Sequence, residues 1–240
     1  MENQYICVVG GAGGIGRAVV QRYAARPGSF VLVVDRQPFQ GDASINIETM
    51  VADVTSPNEI ISLASNFKNR GIVISHLISL AGGALSEEWS ALESIPDEAI
   101  ERSIHLNLTS HVMLVKHLMW LQDVPLGDRS IIFVSSINAI RSYGLTAYSA
   151  AKAGLLGLTR ELAGSLAPQI RVNAILPGTI ETPRTKKTPK DFNALKEKTL
   201  LKRFAMPEDI AATCYFLTHM TNAITGTEII VDAGQNVSTK

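Results

Sequence analysis

Tyr148 and Lys152, four residues apart in Tyr148-Ser149-Ala150-Ala151-Lys152, form the pattern in this chain with the most chemistry in it. On a helix they project from one face, where an ammonium can lie near a phenolic oxygen. A phenol ionises at about 10 in water, and a neighbouring cation favours the anion, so the pair suits proton transfer closer to neutral pH. Tyr143 has no such partner, because Ala147 stands four residues after it. It is expected to line or cover a substrate pocket instead. The competing reading of Tyr148 and Lys152 is a surface pair on an amphipathic helix.

A second cluster is Gly10-Gly11-Ala12-Gly13-Gly14-Ile15-Gly16, where Gly10, Gly14 and Gly16 follow a Gly-x-x-x-Gly-x-Gly spacing directly after an apolar strand. Glycines permit positive φ and remove Cβ atoms, so backbone N–H groups and a helix N-terminus can approach a pyrophosphate closely. Alone, the cluster reads equally as a tight turn with close helix packing. Asp35 strengthens the nucleotide reading: it ends the second expected strand, nineteen residues after Gly16, where a carboxylate can accept hydrogen bonds from ribose hydroxyls.

The elements that must position these residues alternate along the chain. Tyr5–Val9, Phe30–Val34, Ile47–Val51, Val73–Leu80, Ser130–Ser135, Ile170–Ile175 and Thr227–Val231 are continuous apolar runs, expected as strands buried on both faces. Gly14–Ala25, Pro57–Asn69, Asp97–Gln122, Thr146–Leu166 and Pro207–Thr218 carry helical spacing, several opening with Ser, Thr, Asp or Pro. Right-handed crossovers then give an α/β fold: a doubly wound parallel sheet of about seven strands with helices on both faces and ligands at the carboxyl ends of the strands. A length of 240 residues with 46% hydrophobic content suits one domain, residues 1–240. Arg184–Arg203, with eight basic against two acidic residues, is a composition shift that reads as a mobile flap over residues 184–205.

Charge and cysteine content narrow the classes. Twenty-two basic and twenty-two acidic residues leave no global field to attract nucleic acid or an anionic membrane, so a small-molecule partner is expected. Cys7 and Cys214 lack any CxxC or Cys/His spacing, which argues against a disulfide framework or zinc site and fits a reducing, cytoplasmic setting. No run of eighteen apolar residues and no leader-like N-terminus is present, so no membrane association is expected. His105, His111 and His117 fall six apart, so on one helix they point about 120° from one another and cannot share a metal.

With these residues in place, the chain resembles the short-chain dehydrogenase/reductase family of the Tyr-x-x-x-Lys type, from Val9 to Gly234. Beside the glycine loop and Tyr148/Lys152, the matching features are Asp53-Val54, Ala81-Gly82, Asn107, Ser136, Pro177-Gly178 with Thr182, and the closing Thr225–Gly234 stretch. Val9 departs from the family's Thr, Ser79-Leu80 from its Asn-Asn, and the span from Ser136 to Tyr148 is one residue short. Ser135 is therefore the alternative to Ser136, which strand alternation favours.

The resemblance implies an NAD(P)-dependent oxidoreductase moving a hydride between a nicotinamide and a secondary alcohol or ketone. Tyr148 would exchange the proton with the substrate oxygen, Ser136 would polarise that oxygen, Lys152 would tune Tyr148 and bind the nicotinamide ribose, and Asn107 would hold a water leading to solvent. The dinucleotide would be held by Gly10, Gly13, Gly14, Ile15 and Gly16, by Asp35, Arg36, Asp53 and Val54, by Ala81 and Gly82, and by Tyr148, Lys152, Pro177, Gly178, Ile180 and Thr182. NAD is expected over NADP because Asp35 would meet a 2′-phosphate with like charge, with Arg36 and Arg17 as counterweights. The family also implies a homo-oligomer, tetramer or dimer, paired through the apolar stripe of the 97–122 helix. An anionic substrate would suit the basic flap. Two other functions compete: a 3-oxoacyl-thioester reductase, and a nicotinamide-binding sensor or scaffold without turnover, which would need no proton relay.

Overall fold

The computed structural model describes residues 3–41, 46–120, 129–182 and 192–238. Seven strands form one all-parallel sheet in the order β3-β2-β1-β4-β5-β6-β7. They are β1 Gln4–Val9, β2 Ser29–Asp35, β3 Ile47–Val51, β4 Ile74–Ser79, β5 Arg129–Val134, β6 Ile170–Pro177 and β7 Glu228–Val231. The order reverses between β1 and β4, which opens a crevice at their carboxyl ends, the usual ligand position of such sheets.

The central strands β1, β2, β4, β5 and β6 are almost wholly buried because alternation splits each between two cores, whereas the edge strands β3 and β7, expected as buried on both faces, are only partly covered, with Val51 and Ile230 exposed. Cys7 and Val9 of β1, with Leu32 and Val34 of β2, belong to the core under α2 (Pro57–Asn69), α4 (Ser110–Leu118) and α5 (Thr146–Ser165). Ile6 and Val8, with Val31 and Val33, face the opposite core under α1 (Gly14–Ala24) and α7 (Pro207–Tyr215). Both layers therefore exclude water from the centre of the sheet, and burial at about 25 cal/mol per Å² on each face holds the central strands in register.

Helix boundaries follow local chemistry. Pro57 opens α2 after Ser56, whose hydroxyl accepts the Glu59 N–H, while Glu59 reaches back to the Asp53 N–H at 2.8 Å. The segment expected as a helix over Asp97–Gln122 is helical without interruption from Asp97 to Leu118, but α3 (Asp97–Ile104) widens into a π turn, His105–Thr109, before continuing as α4; it ends at Leu118, and residues 121–128 lie outside the described set. A second π turn, Phe216–Met220, follows α7. Of the expected flap, 184–191 lies outside the described residues, while α6 (Phe192–Glu197) is helical and Thr199 is buried, its hydroxyl bonded to the Lys196 and Arg203 carbonyls. Among the described residues no helix is long and apolar enough to cross a membrane.

Candidate active site

At the end of β1 the chain reverses at Gly10, whose φ of 83° suits glycine and whose Cβ would lie 2.8 Å from the Ala81 nitrogen. Gly16 is equally constrained, since a Cβ there would stand 2.2 Å from the Gly10 carbonyl oxygen. These approaches seat α1 tightly on the loop and the loop against the end of β4. Gly13 precedes the helix without a side-chain cap, Gly14 opens it, and no acidic residue occupies its first turn, so the helix N-terminus is presented to an anion. The Asp35 carboxylate accepts the Ala12 N–H at 3.0 Å and the Gln37 N–H at 3.1 Å, placing its charge beside the glycine loop.

Arg17 donates to the Ala12 carbonyl, and Arg36 is exposed. Asp53 stands after β3, its Oδ1 accepting both the N–H and the hydroxyl of Thr55. Burial pushes that carboxyl up, but the Thr55 donors and the Arg36 and His105 charges outweigh it and hold it below its ordinary value. Val54 packs its side chain into the core.

The other half of the crevice gathers around α5. Lys152 is 3% exposed, donates to the Val134 carbonyl at 2.9 Å, and lies 5.8 Å from the centre of the Tyr148 ring. Burial pushes its ammonium down to about 7. Asn107 sits in the π turn, where its Oδ1 accepts the Gly83 N–H at 2.8 Å and its Nδ2 donates to the Ser103 and Gly83 carbonyls. Gly82 marks the meeting point, because a Cβ there would lie 2.5 Å from Asn107 Oδ1 and 3.3 Å from Lys152 Nζ.

The two serines after β5 divide their work. The Ser135 hydroxyl donates to the Lys152 carbonyl at 2.8 Å, tying β5 to α5. Ser136 instead pairs with Asn138, donating to Oδ1 at 3.1 Å and accepting the backbone N–H at 3.2 Å.

Tyr148, Lys152 and Ser136 line one cleft of about 340 Å³, bounded toward the glycine loop by Ile15 and Gly82. Pro177, Gly178, Ile180 and Thr182 form another wall, and Tyr143 closes a side, its hydroxyl donating to the Gln235 carbonyl at 3.3 Å. Asn107 lies behind this cleft rather than in it, and Asp35, Arg36, Asp53 and Val54 stand off at the β2–β3 end. Of the histidines, His105 bonds the Thr55 carbonyl and His111 bonds Ser79, so they serve separate places. Burial, with the Lys152 charge second, pushes His111 down to about 3.

Four residues at the site escape sequence reasoning: Glu88, Ser103, Asn138 and Gln235. Glu88 is 2% exposed in a short 3-10 turn, Ser86–Trp89, and accepts hydrogen bonds from Tyr148, Leu85 and Ser103. Gln235 accepts the Thr179 N–H at 2.8 Å beneath the cleft. Only the distance of Asn138 from Ser136, two residues, offered a sequence signal.

A family model described as enoyl-(acyl carrier protein) reductase matches residues 10–236. The chain is 31% identical to "Probable galactose dehydrogenase GalD" of Rhizobium meliloti, over 98% of this chain and 95% of that one. It is 28% identical to an NAD-dependent glycerol dehydrogenase of Listeria innocua, over 96% and 92%. Among solved structures, the ligand-free aldohexose dehydrogenase of Thermoplasma acidophilum superposes with a TM-score of 0.84 at 27% identity, covering 98% of this chain and 95% of that one.

Proposed function

Because the chain belongs to the short-chain dehydrogenase/reductase family of oxidoreductases, we propose that it moves a hydride between NAD and a secondary alcohol or ketone on a small hydroxylated substrate. The observation carrying this reading is the convergence of Tyr148, Lys152 and Ser136 on one cleft that opens beside the glycine loop. The cradle suits a dinucleotide: Gly10 and Gly16 leave no room for side chains, and the uncapped first turn of α1 offers N–H groups to a pyrophosphate. Asp35 would take the adenosine ribose and Lys152 the other ribose. When bound, the nicotinamide supplies or accepts the hydride.

The chain's own residues handle the proton. Tyr148 Oη donates it to a carbonyl oxygen in reduction and takes it from a hydroxyl in oxidation, while Ser136 hydrogen-bonds the same oxygen. A charged Lys152 beside the ring favours the tyrosinate. Ketone and alcohol differ by two electrons and two protons; the hydride accounts for both electrons and one proton, so one acid–base group suffices for the other proton. Asn138, Tyr143 and Thr179 add polar groups around the cleft, which suits hydroxyls, as do the galactose, glycerol and aldohexose substrates named for the relatives. A 3-oxoacyl thioester is the second reading, favoured by the description of the matching family model.

Initial rates with NAD and NADP across polyols, aldoses, simple secondary alcohols and 3-oxoacyl thioesters test this. We expect hydroxylated substrates and NAD to lead, Asp35→Ser to shrink the NAD preference, and Tyr148→Phe to remove nearly all turnover with dinucleotide affinity unchanged. Turnover retained in Tyr148→Phe, or a preference for NADP, would overturn the corresponding part.

A further inference from the structure

The first turn of α5 carries a capping problem that its own sequence does not solve. Leu145, just before the helix, is left-handed with φ 67° and brings no side-chain acceptor. The first intrahelical bond is made by the Ser149 N–H to the Leu145 carbonyl, so the N–H of Tyr148, third in the helix, has no partner within it. Glu88 supplies one from a distant segment. Its Oε1 accepts the Tyr148 N–H at 2.7 Å, and its Oε2 accepts the Leu85 N–H and the Ser103 hydroxyl, each at 2.9 Å. Three donors on two oxygens suit an acceptor-only carboxylate.

The connection continues. The Ser103 carbonyl accepts the Asn107 amide at 3.0 Å, and Asn107 Oδ1 and Lys152 Nζ both border Gly82, 2.5 and 3.3 Å from where a Cβ on it would stand. One buried carboxylate thus ties the helix bearing Tyr148 and Lys152 to the π turn bearing Asn107. It also adds negative charge at the helix end nearest Tyr148. A helix N-terminus favours an anion, and an anion already there disfavours a second one.

We propose that Glu88 is a positioning residue for proton transfer: it fixes the first turn of α5 against the Asn107 turn, and its charge strengthens the hold of Tyr148 on its proton. This rests on the reading of Tyr148 as the acid–base group. Glu88→Gln keeps the size and one acceptor but removes the charge; Ser103→Ala removes one donor from the carboxylate while leaving the carbonyl that holds Asn107.

Two measurements on the unliganded protein decide it. In Glu88→Gln, the tyrosinate titration, read by ultraviolet difference against a Tyr148→Phe background, should move to lower pH by roughly half a unit. Amide hydrogen exchange at Tyr148 should quicken about tenfold in Glu88→Ala and less in Ser103→Ala. With substrate present, the acid limb of kcat should shift the same way in Glu88→Gln, with KM for the dinucleotide unchanged. If Glu88→Ala does not fold, Glu88→Gln and Ser103→Ala carry the test. A folded Glu88→Gln with an unmoved tyrosinate titration overturns the proposal, as does unchanged Tyr148 exchange in a folded Glu88→Ala. Turnover retained in Tyr148→Phe overturns it through its premise, and the titration, which needs no turnover, tells the two failures apart.

Discussion

Lys152 is only 3% exposed, and burial lowers its ammonium from an ordinary value of 10.5 to about 7. Between those values the unfolded chain binds the extra proton, so native stability must rise with pH from about 7 toward 10.5. Lys152→Met keeps the volume and removes the proton. We expect it to be more stable than the native chain at pH 7 by an amount on the order of a few kcal/mol, with the gap closing as pH rises. Denaturant unfolding of both proteins across that window measures it; parallel curves would show that Lys152 keeps its charge throughout. Tyr148 and Lys152 are legible from spacing alone because their relation is local to one helix turn. Glu88 is not, since its partners Ser103 and Tyr148 stand 15 and 60 residues away and nothing in Ser-Glu-Glu-Trp distinguishes it from its half-buried neighbour Glu87.

Among the elements, the glycine loop makes the sharpest demand on sequence. A Cβ at Gly16 would meet backbone atoms of Gly10 and Gly11, which cannot swing aside as a long side chain can. Gly16→Ala should therefore cost about 1–3 kcal/mol and weaken dinucleotide binding at least tenfold. Gly164 in α5 is the control: a Cβ there meets nothing within 4 Å, and Gly164→Ala should stabilise by about 0.5–1 kcal/mol. Thermal unfolding and dinucleotide titration check both, and equal effects at the two positions would dismiss the packing argument. The bounds of α2 follow from sequence because Ser56, Pro57 and Glu59 encode its start locally. The π turn within the expected 97–122 helix does not, because helical spacing is the same on both sides of His105–Thr109, and the Asn107 amide finds its Gly83 partners only once β4 lies beside it. Residues 184–191 of the expected flap lie outside the described set, and in the described remainder the Leu201 N–H bonds the Ala233 carbonyl at 3.1 Å.

For the whole molecule, apolar alternation makes the two-sided sheet readable, and it also gives each layer its own reporter. Cys7 sits in the core under α2, α4 and α5, and Cys214 in the core under α1 and α7; burial pushes both thiols up to about 12. Neither should react with a thiol reagent at neutral pH except through opening of the fold. Mass spectrometry of a labelling time course should give one common rate, equal to that of global unfolding; two different rates would mean that the layers open separately. The cleft has a further dependence on chain order. Its floor is completed by residues 228–238: Gln235 holds the Thr179 N–H, and Arg141 and Tyr143 reach across to the carbonyls of Gln235 and Asn236. A nascent chain paused on the ribosome before Glu228 already contains the glycine loop, Tyr148 and Lys152. It lacks the edge strand and the contacts that fix the 141–143 segment, so the substrate half of the crevice can take shape only after synthesis has passed the last strand.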